Sequence, residues 1–186
     1  MRIVVTGTSG GVGGAVASAA RALGQEVVEV NRAQFESSAP LVDVIGVEAV
    51  VFATGSCPVK PLGLTSDVSF EETMRANCGT FLRLMRELVT QKRFAAGGAK
   101  VLAISSVSAT EGWAGGAAYC ASKGALSALC RALDAELSAK KISVKALEPR
   151  YIRTKMFEQG AGRMGVPSSA AVDPAEFAAA VLGHLV

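Results

Sequence analysis

Tyr119 and Lys123 stand four residues apart in Tyr119-Cys-Ala-Ser-Lys123, a stretch that otherwise reads as an apolar helix. At that spacing a phenol and an ammonium share one helix face. A free phenol titrates near about 10, and a neighbouring cation favours the phenolate, lowering that value toward the range where protons exchange at neutral pH. The pair has the makings of an acid/base device. Taken alone it is only a helix pair, because Tyr-x-x-x-Lys arises often by chance on solvated faces. Chemistry requires the rest of the chain to build a site around it.

A second candidate is Thr6-Gly-Thr-Ser-Gly-Gly-Val-Gly13, between the β-branched run Ile3–Thr6 and a helical pattern over Ala15–Leu23 that ends at Gly24. A glycine turn there lets backbone approach a phosphate, and the helix start presents free N–H groups and the positive end of its dipole. The spacing Gly7-x-x-x-Gly11-x-Gly13 differs from G-x-G-x-x-G, but the strand before and the helix after favour dinucleotide binding over a ligand-free turn. After the next run, Glu26–Val30, the chain reads Asn31-Arg32. A carboxylate at this position would accept from a ribose 2′-hydroxyl, whereas a guanidinium suits a 2′-phosphate. NADP(H) is therefore favoured, with NAD(H) possible, and Ser9 offers a further hydroxyl donor.

The elements that must position these groups follow from the hydrophobic pattern. Further strand-like runs occur at Ala49–Ala53, Lys100–Ser105 and Ile142–Leu147, alternating with helical patterns. Continuous apolar strands in that rhythm imply an α/β, Rossmann-like, doubly wound parallel sheet covered on both faces. Residues 33–48 are few for a full crossover. We read Gln34–Glu36 as a minimal third strand and Pro40–Gly46 as a short third helix, with a strand at Leu41–Val44 as the alternative. Gly55 allows a close backbone approach after the run at 49–53, and a long helix is expected over Ser69–Arg93, carrying a polar Asn77. Ile104-Ser105-Ser106 ends another strand thirteen residues before Tyr119, and Trp113–Gly116 reads as a flexible lead into the Tyr119 helix. Residues 150–172 read as a loop with at most a short helix, suited to a lid.

Composition excludes several functions. With 186 residues, half of them hydrophobic, the chain fits a single domain spanning 1–186. Its net charge of +3 is too mild and dispersed to point to nucleic acid or a membrane surface. The start does not resemble a signal peptide and no run of eighteen apolar residues occurs, so a cytoplasmic protein is expected. Four cysteines without a Cys-x-x-Cys pair and one histidine give no expectation of a metal site or a His-based triad.

Together, Thr6-Gly-x-x-x-Gly-x-Gly13, Ala53-Thr54-Gly55, Asn77, Ile104-Ser-Ser106, Tyr119-x-x-x-Lys123, and Pro149 with Thr154 resemble the short-chain dehydrogenase/reductase family in order and context across nearly the whole chain. The resemblance implies hydride transfer between nicotinamide and a carbonyl or secondary alcohol. Ser106 would hydrogen-bond the substrate oxygen and Tyr119 would exchange the proton. Lys123 would lower the phenol's pKa and bind the nicotinamide ribose, while Asn77 would hold a relay water. Cofactor contacts are implied at Gly7, Ser9, Gly11, Val12 and Gly13, at Asn31 and Arg32, and at Ala53, Thr54 and Gly55. Beyond Tyr119 and Lys123 they continue at Pro149, Ile152 and Thr154.

The chain departs from the family pattern in three places. Arg150 follows Pro149 where glycine is usual, and with Arg153, Lys155 and Arg163 it raises the question of an acidic substrate. Thr54 stands where Asn or Ala is commoner. The last strand of longer members is expected to be missing, which favours a monomer or a homodimer through helices 69–93 and 117–139. A non-catalytic cofactor-binding sensor or scaffold, and an epimerase or dehydratase, are the competing readings.

Overall fold

Short runs of valine, isoleucine and alanine form strands here because each can be buried on both faces of a parallel sheet. The computed structural model describes the backbone of residues 1–185, and the side chains of these residues except 160–164. Its five strands are β1 (Arg2–Thr6), β2 (Glu26–Val30), β3 (Ala49–Phe52), β4 (Ala99–Ile104) and β5 (Ile142–Leu147). They pair in parallel in the order β2-β1-β3-β4-β5. The order reverses at β1, between β2 and β3, and a ligand crevice opens at the carboxyl ends of the strands at such a switch point.

Alternation along each strand sends side chains to two cores. Val4, Val50 and Phe52 meet Phe81, Leu84, Leu88 and Leu126 on one face. Here α4 (Thr80–Thr90) and α5 (Ala117–Leu137) cover the sheet, and the Phe52 and Phe81 rings lie 5.1 Å apart. Ile3, Val5 and Val51 meet Val16, Ala20, Val181 and Leu182 on the other face, beneath α1 (Gly11–Ala22) and α7 (Pro174–Gly183). Both faces are dry, as the continuous apolar runs require.

The abbreviated flank differs from expectation. Gln34–Glu36 is part of a helix, α2 (Arg32–Glu36), and neither a helix nor a strand forms over 40–46. The reason lies in α4, which satisfies the backbone of this segment with side chains in place of a strand ladder. The Glu87 carboxylate accepts from the N–H groups of Leu41 (2.6 Å) and Val42 (3.0 Å). One turn earlier, Arg83 donates to the carbonyls of Phe35 and Ser37. Leu41 and Val42 thereby reach the core without belonging to a regular element.

The expected helix over 69–93 is also interrupted. It forms as α3 (Asp67–Met74), a wide π-turn at Arg75–Gly79, and α4. Such turns often mark functional positions, and Asn77 sits within this one. The segment after β5 contains α6 (Lys155–Met164), and its two ends are joined by a bridge between Ile152 and Val172. The lid segment is thus tied at its base, with Tyr151, Phe157 and Ala171 forming a small apolar cluster of their own. Among the described residues no strand follows β5, and no helix is long and apolar enough to cross a membrane.

Candidate active site

A cavity of about 830 Å³ opens where the carboxyl ends of β1, β3, β4 and β5 meet the helices and loops that follow them. Gly7, Ser9, Gly11, Val12 and Gly13 line one end, with Arg32 beside them and Ala53, Thr54 and Gly55 across from them. Ser106, Tyr119 and Lys123 line the middle, and Pro149, Ile152 and Thr154 close the lid side. Of the site residues named from sequence, Asn31 and Asn77 are the two that do not reach its wall.

The glycine end is built by close approach of backbone to backbone. Gly7 adopts φ +69°, and a Cβ on it would lie 2.7 Å from the carbonyl oxygen of Ala53. Gly13 sits so tightly on Gly7 that a Cβ would come within 2.4 Å of its carbonyl oxygen. Thr6 fastens the two strand ends together, its hydroxyl oxygen accepting from the N–H groups of Ala53 (3.0 Å) and Thr54 (3.2 Å). No side chain caps α1, so the N–H groups of its first turn remain available to an anion. This end fits the diphosphate of a dinucleotide.

At the tip of β2 the sequence reading divides. Arg32 lines the cavity as expected. Asn31 instead caps α2, its side chain accepting from Gln34 N–H while the Gln34 side chain accepts from Asn31 N–H. The nearest acid on β2, Glu29, is bonded by Thr8 and Arg21. It does not line the cavity, so the wall around Arg32 carries no competing carboxylate from this strand.

The strand-end serine and the helix pair converge. Ser106 follows β4, is 6 % exposed, accepts from Ser108 N–H at 3.1 Å, and lies near enough to the Tyr119 phenol to favour its ionised form. Lys123 lies below the ring, with Nζ 5.7 Å from its centroid, and donates to the carbonyl of Ile104 at 2.7 Å. Burial pushes its ammonium down to about 8. Burial also raises the phenol well above its ordinary value, with a smaller rise from Cys57, and Ser106 offsets only part of this. The net shift of the phenol is upward and is set by burial. The charge that should favour the phenolate is itself disfavoured by the same burial.

Asn77 is fully buried and works across three elements. Its Nδ2 donates to the carbonyl of Ser56 (2.9 Å) and to Ser122 Oγ (2.7 Å), and its Oδ1 accepts from Ser56 N–H (2.7 Å). Ser122 in turn donates to the carbonyl of Tyr119 at 2.7 Å. The side chain is a strut between the loop after β3 and the turn of α5 that carries the phenol. Both of its donors are committed, so a relay water at this side chain has only the remaining Oδ1 lone pair to use.

Several wall residues escaped the sequence reading. Cys57 lines the cavity, and burial pushes its thiol up to about 11. Trp113 lies 6.3 Å from the Tyr119 ring, with Nε1 donating to Ser108 Oγ at 3.1 Å. Within 113–116 the indole packs on Gly116, where a Cβ would lie 2.5 Å from the ring. The single tryptophan six residues before the tyrosine was the available signal. Arg150 lines the wall and pairs with Glu111, whereas Arg153 pairs with Asp173. Lys155 lines the cavity, and the side chain of Arg163 lies outside the described residues.

Comparison with known proteins agrees with this geometry. The sequence model of the short chain dehydrogenase family matches residues 41–163. L-xylulose reductase of Bos taurus is 29 % identical over 178 residues, covering 83 % of this chain and 73 % of that protein. A short-chain dehydrogenase from Streptomyces avermitilis superposes with a TM-score of 0.75 at 27 % identity, over 97 % of this chain and 82 % of the other. The fold is shared with 3-ketoacyl-(acyl-carrier-protein) reductase from Brucella melitensis complexed with NADH, at TM-score 0.77 and 21 % identity over 97 % and 88 % of the two chains. The family match covers well over half of the chain, and the parallel sheet agrees with it: this chain belongs to the short-chain dehydrogenase/reductase family of oxidoreductases.

Proposed function

We propose that the protein is an NADP(H)-preferring oxidoreductase that interconverts a carbonyl and a secondary alcohol, with Tyr119 exchanging the proton. The observation that carries this reading is the convergence of Ser106, Tyr119 and Lys123 on one cavity wall that continues into the glycine turn. The nicotinamide cofactor, when bound, supplies the hydride.

The chain's own residues do the rest. Ser106 presents its hydroxyl beside the phenol, so a carbonyl oxygen between them meets two donors as negative charge develops on it. Tyr119 holds its proton on the phenolic oxygen at neutral pH because burial disfavours the phenolate. Lys123 keeps an ammonium beneath the ring that stabilises the phenolate once the proton has left. Its two N–H bonds beyond the one to Ile104 are suited to the nicotinamide ribose. The lid segment supplies Arg150, Tyr151, Ile152, Thr154 and Phe157 to the cavity wall that carries the reacting centre.

Arg32 on the wall, with Glu29 engaged elsewhere, supports a preference for the 2′-phosphate. The same two helical regions, 69–93 and 117–139, are our candidate homodimer face, and Phe70 and Leu82 lie exposed within the first of them. The test is NADPH oxidation against a panel of aldehydes, ketones and quinones. Turnover that Tyr119→Phe abolishes supports the reading, and turnover that survives this change overturns it.

A further inference from the structure

At the lid side of the cavity, Arg150 and Glu111 form a charge pair that the proton-transfer site does not use. Their loops follow β5 and β4, and both side chains line the cavity. Arg150 Nη1 and Nη2 donate to the two carboxylate oxygens of Glu111 at 3.1 and 2.7 Å, the two-pronged geometry by which a guanidinium grips a carboxylate. The pair belongs to the wall that carries the reacting groups, because Val107 N–H donates to the carbonyl of Pro149 at 3.2 Å. That bond couples the residue after Ser106 to the residue before Arg150.

We propose that Arg150 anchors a carboxylate on the substrate and that Glu111 occupies the guanidinium until the substrate arrives. The preferred substrates are then oxo or hydroxy compounds bearing an acid group. Three observations favour exchange over a permanent bond. The side chains are 58 % and 51 % exposed, and an exposed pair of this kind is held only weakly in water. Glu111, once released, has solvent to enter. Lys155 also lines the cavity, and Glu111 is the one acid on its wall among the described residues, so an incoming anion meets two cations against one displaced carboxylate. The remaining wall at this end is apolar or aromatic, with Trp113, Tyr151, Met156, Phe157 and Val166, and so suits the carbon skeleton between acid and carbonyl. Arg153 takes no part, being paired with Asp173 at the lid base. The proposal rests on the oxidoreductase reading for its reaction but not for its binding step.

Binding is measured without turnover through the fluorescence of Trp113, the single tryptophan of the chain and a residue of this wall. Wild type, Arg150→Ala, Arg150→Lys and Glu111→Gln are titrated with hexanoate, hexanamide and hexylamine. The wild type is expected to bind hexanoate about tenfold more tightly than hexanamide, consistent with a charge-assisted bond. Arg150→Ala should erase that ratio, Arg150→Lys should keep part of it because the charge remains without the fork, and Glu111→Gln should raise it. Equal binding of acid and amide by the wild type, an equal loss of both in Arg150→Ala, or a preference for hexylamine would overturn the anchor. A pair that serves only as a latch changes acid and amide alike. The same variants are then compared for kcat/KM on an oxo acid and its methyl ester, where the acid-to-ester ratio should follow the same order. Absence of turnover with every carbonyl counts against the oxidoreductase reading, while the fluorescence titration still decides the anchor.

Discussion

The two ends of the cavity are built by different means. At the glycine end, strand tips and a helix start are locked by contacts too tight to admit a Cβ, and buried side chains such as Thr6 and Asn77 spend most of their hydrogen bonds on backbone. At the lid end the wall comes from loops, and its polar contacts include the exposed Arg150–Glu111 pair. The difference separates two tasks. Under the proposed function, a cofactor of constant shape would meet backbone held in one conformation, and a substrate would meet side chains that can be exchanged without disturbing the sheet.

The contrast can be broken most directly at Tyr119, where the two ends meet. Tyr119→Phe should lower kcat by about 10²–10⁴-fold while leaving NADPH affinity within a few-fold, measured by initial rates and by cofactor titration. A parallel loss of cofactor binding would mean that the phenol belongs to the glycine end and not to the chemistry.

Next in size is a stability contrast. Asn77→Ala removes a fully buried side chain that bonds the N–H and carbonyl of Ser56 and the buried Ser122 hydroxyl, so urea unfolding should show a loss of about 2–3 kcal/mol. Arg150→Ala, at an exposed pair, should cost less than about 1 kcal/mol. Similar losses for the two variants would dissolve the distinction between a locked end and an exchangeable one.

Arg32→Ala is expected to weaken NADPH by roughly tenfold or more and to leave NADH nearly unaffected, and an equal change for both would remove the 2′-phosphate argument. The smallest effect is a pH slope. Burial lowers the folded Lys123 from 10.5 to about 8, so above that pH the folded chain has released a proton that the unfolded chain still holds, and stability rises with pH. Cys57, raised from 9.0 to about 11, acts in the opposite sense once the unfolded thiol begins to titrate. The lysine's contribution is therefore clearest between pH 8 and 9, and Lys123→Met should flatten it in thermal melts. Parallel curves for wild type and variant would place the ammonium in water.

Much of the glycine end was legible in the chain because its signals are short-range. A β-branched run, a glycine turn and a helix start are contiguous, and Tyr119 and Lys123 are four residues apart on one helix. Periodicity over 69–93 indicated helix but could not reveal the π-turn, since the spacing of apolar residues changes little across it. The third strand failed for a related reason. Residues 34–46 carry enough apolar side chains to enter the core, but nothing local says that Glu87, 46 residues beyond Leu41, will take the place of a strand ladder.

The sequence by itself determined the parallel α/β architecture, the glycine turn, and the identity of the serine, tyrosine and lysine that share a wall, because each depends on neighbours a few residues away. The tertiary structure alone decided what those groups are worth. Asn77 found Ser56 21 residues upstream, and Arg150 found Glu111 39 residues upstream. Burial holds the Lys123 ammonium down to about 8 and pushes the Tyr119 phenol up. Desolvation and long-range pairing exist only once distant segments have docked, and no spacing along the chain encodes them.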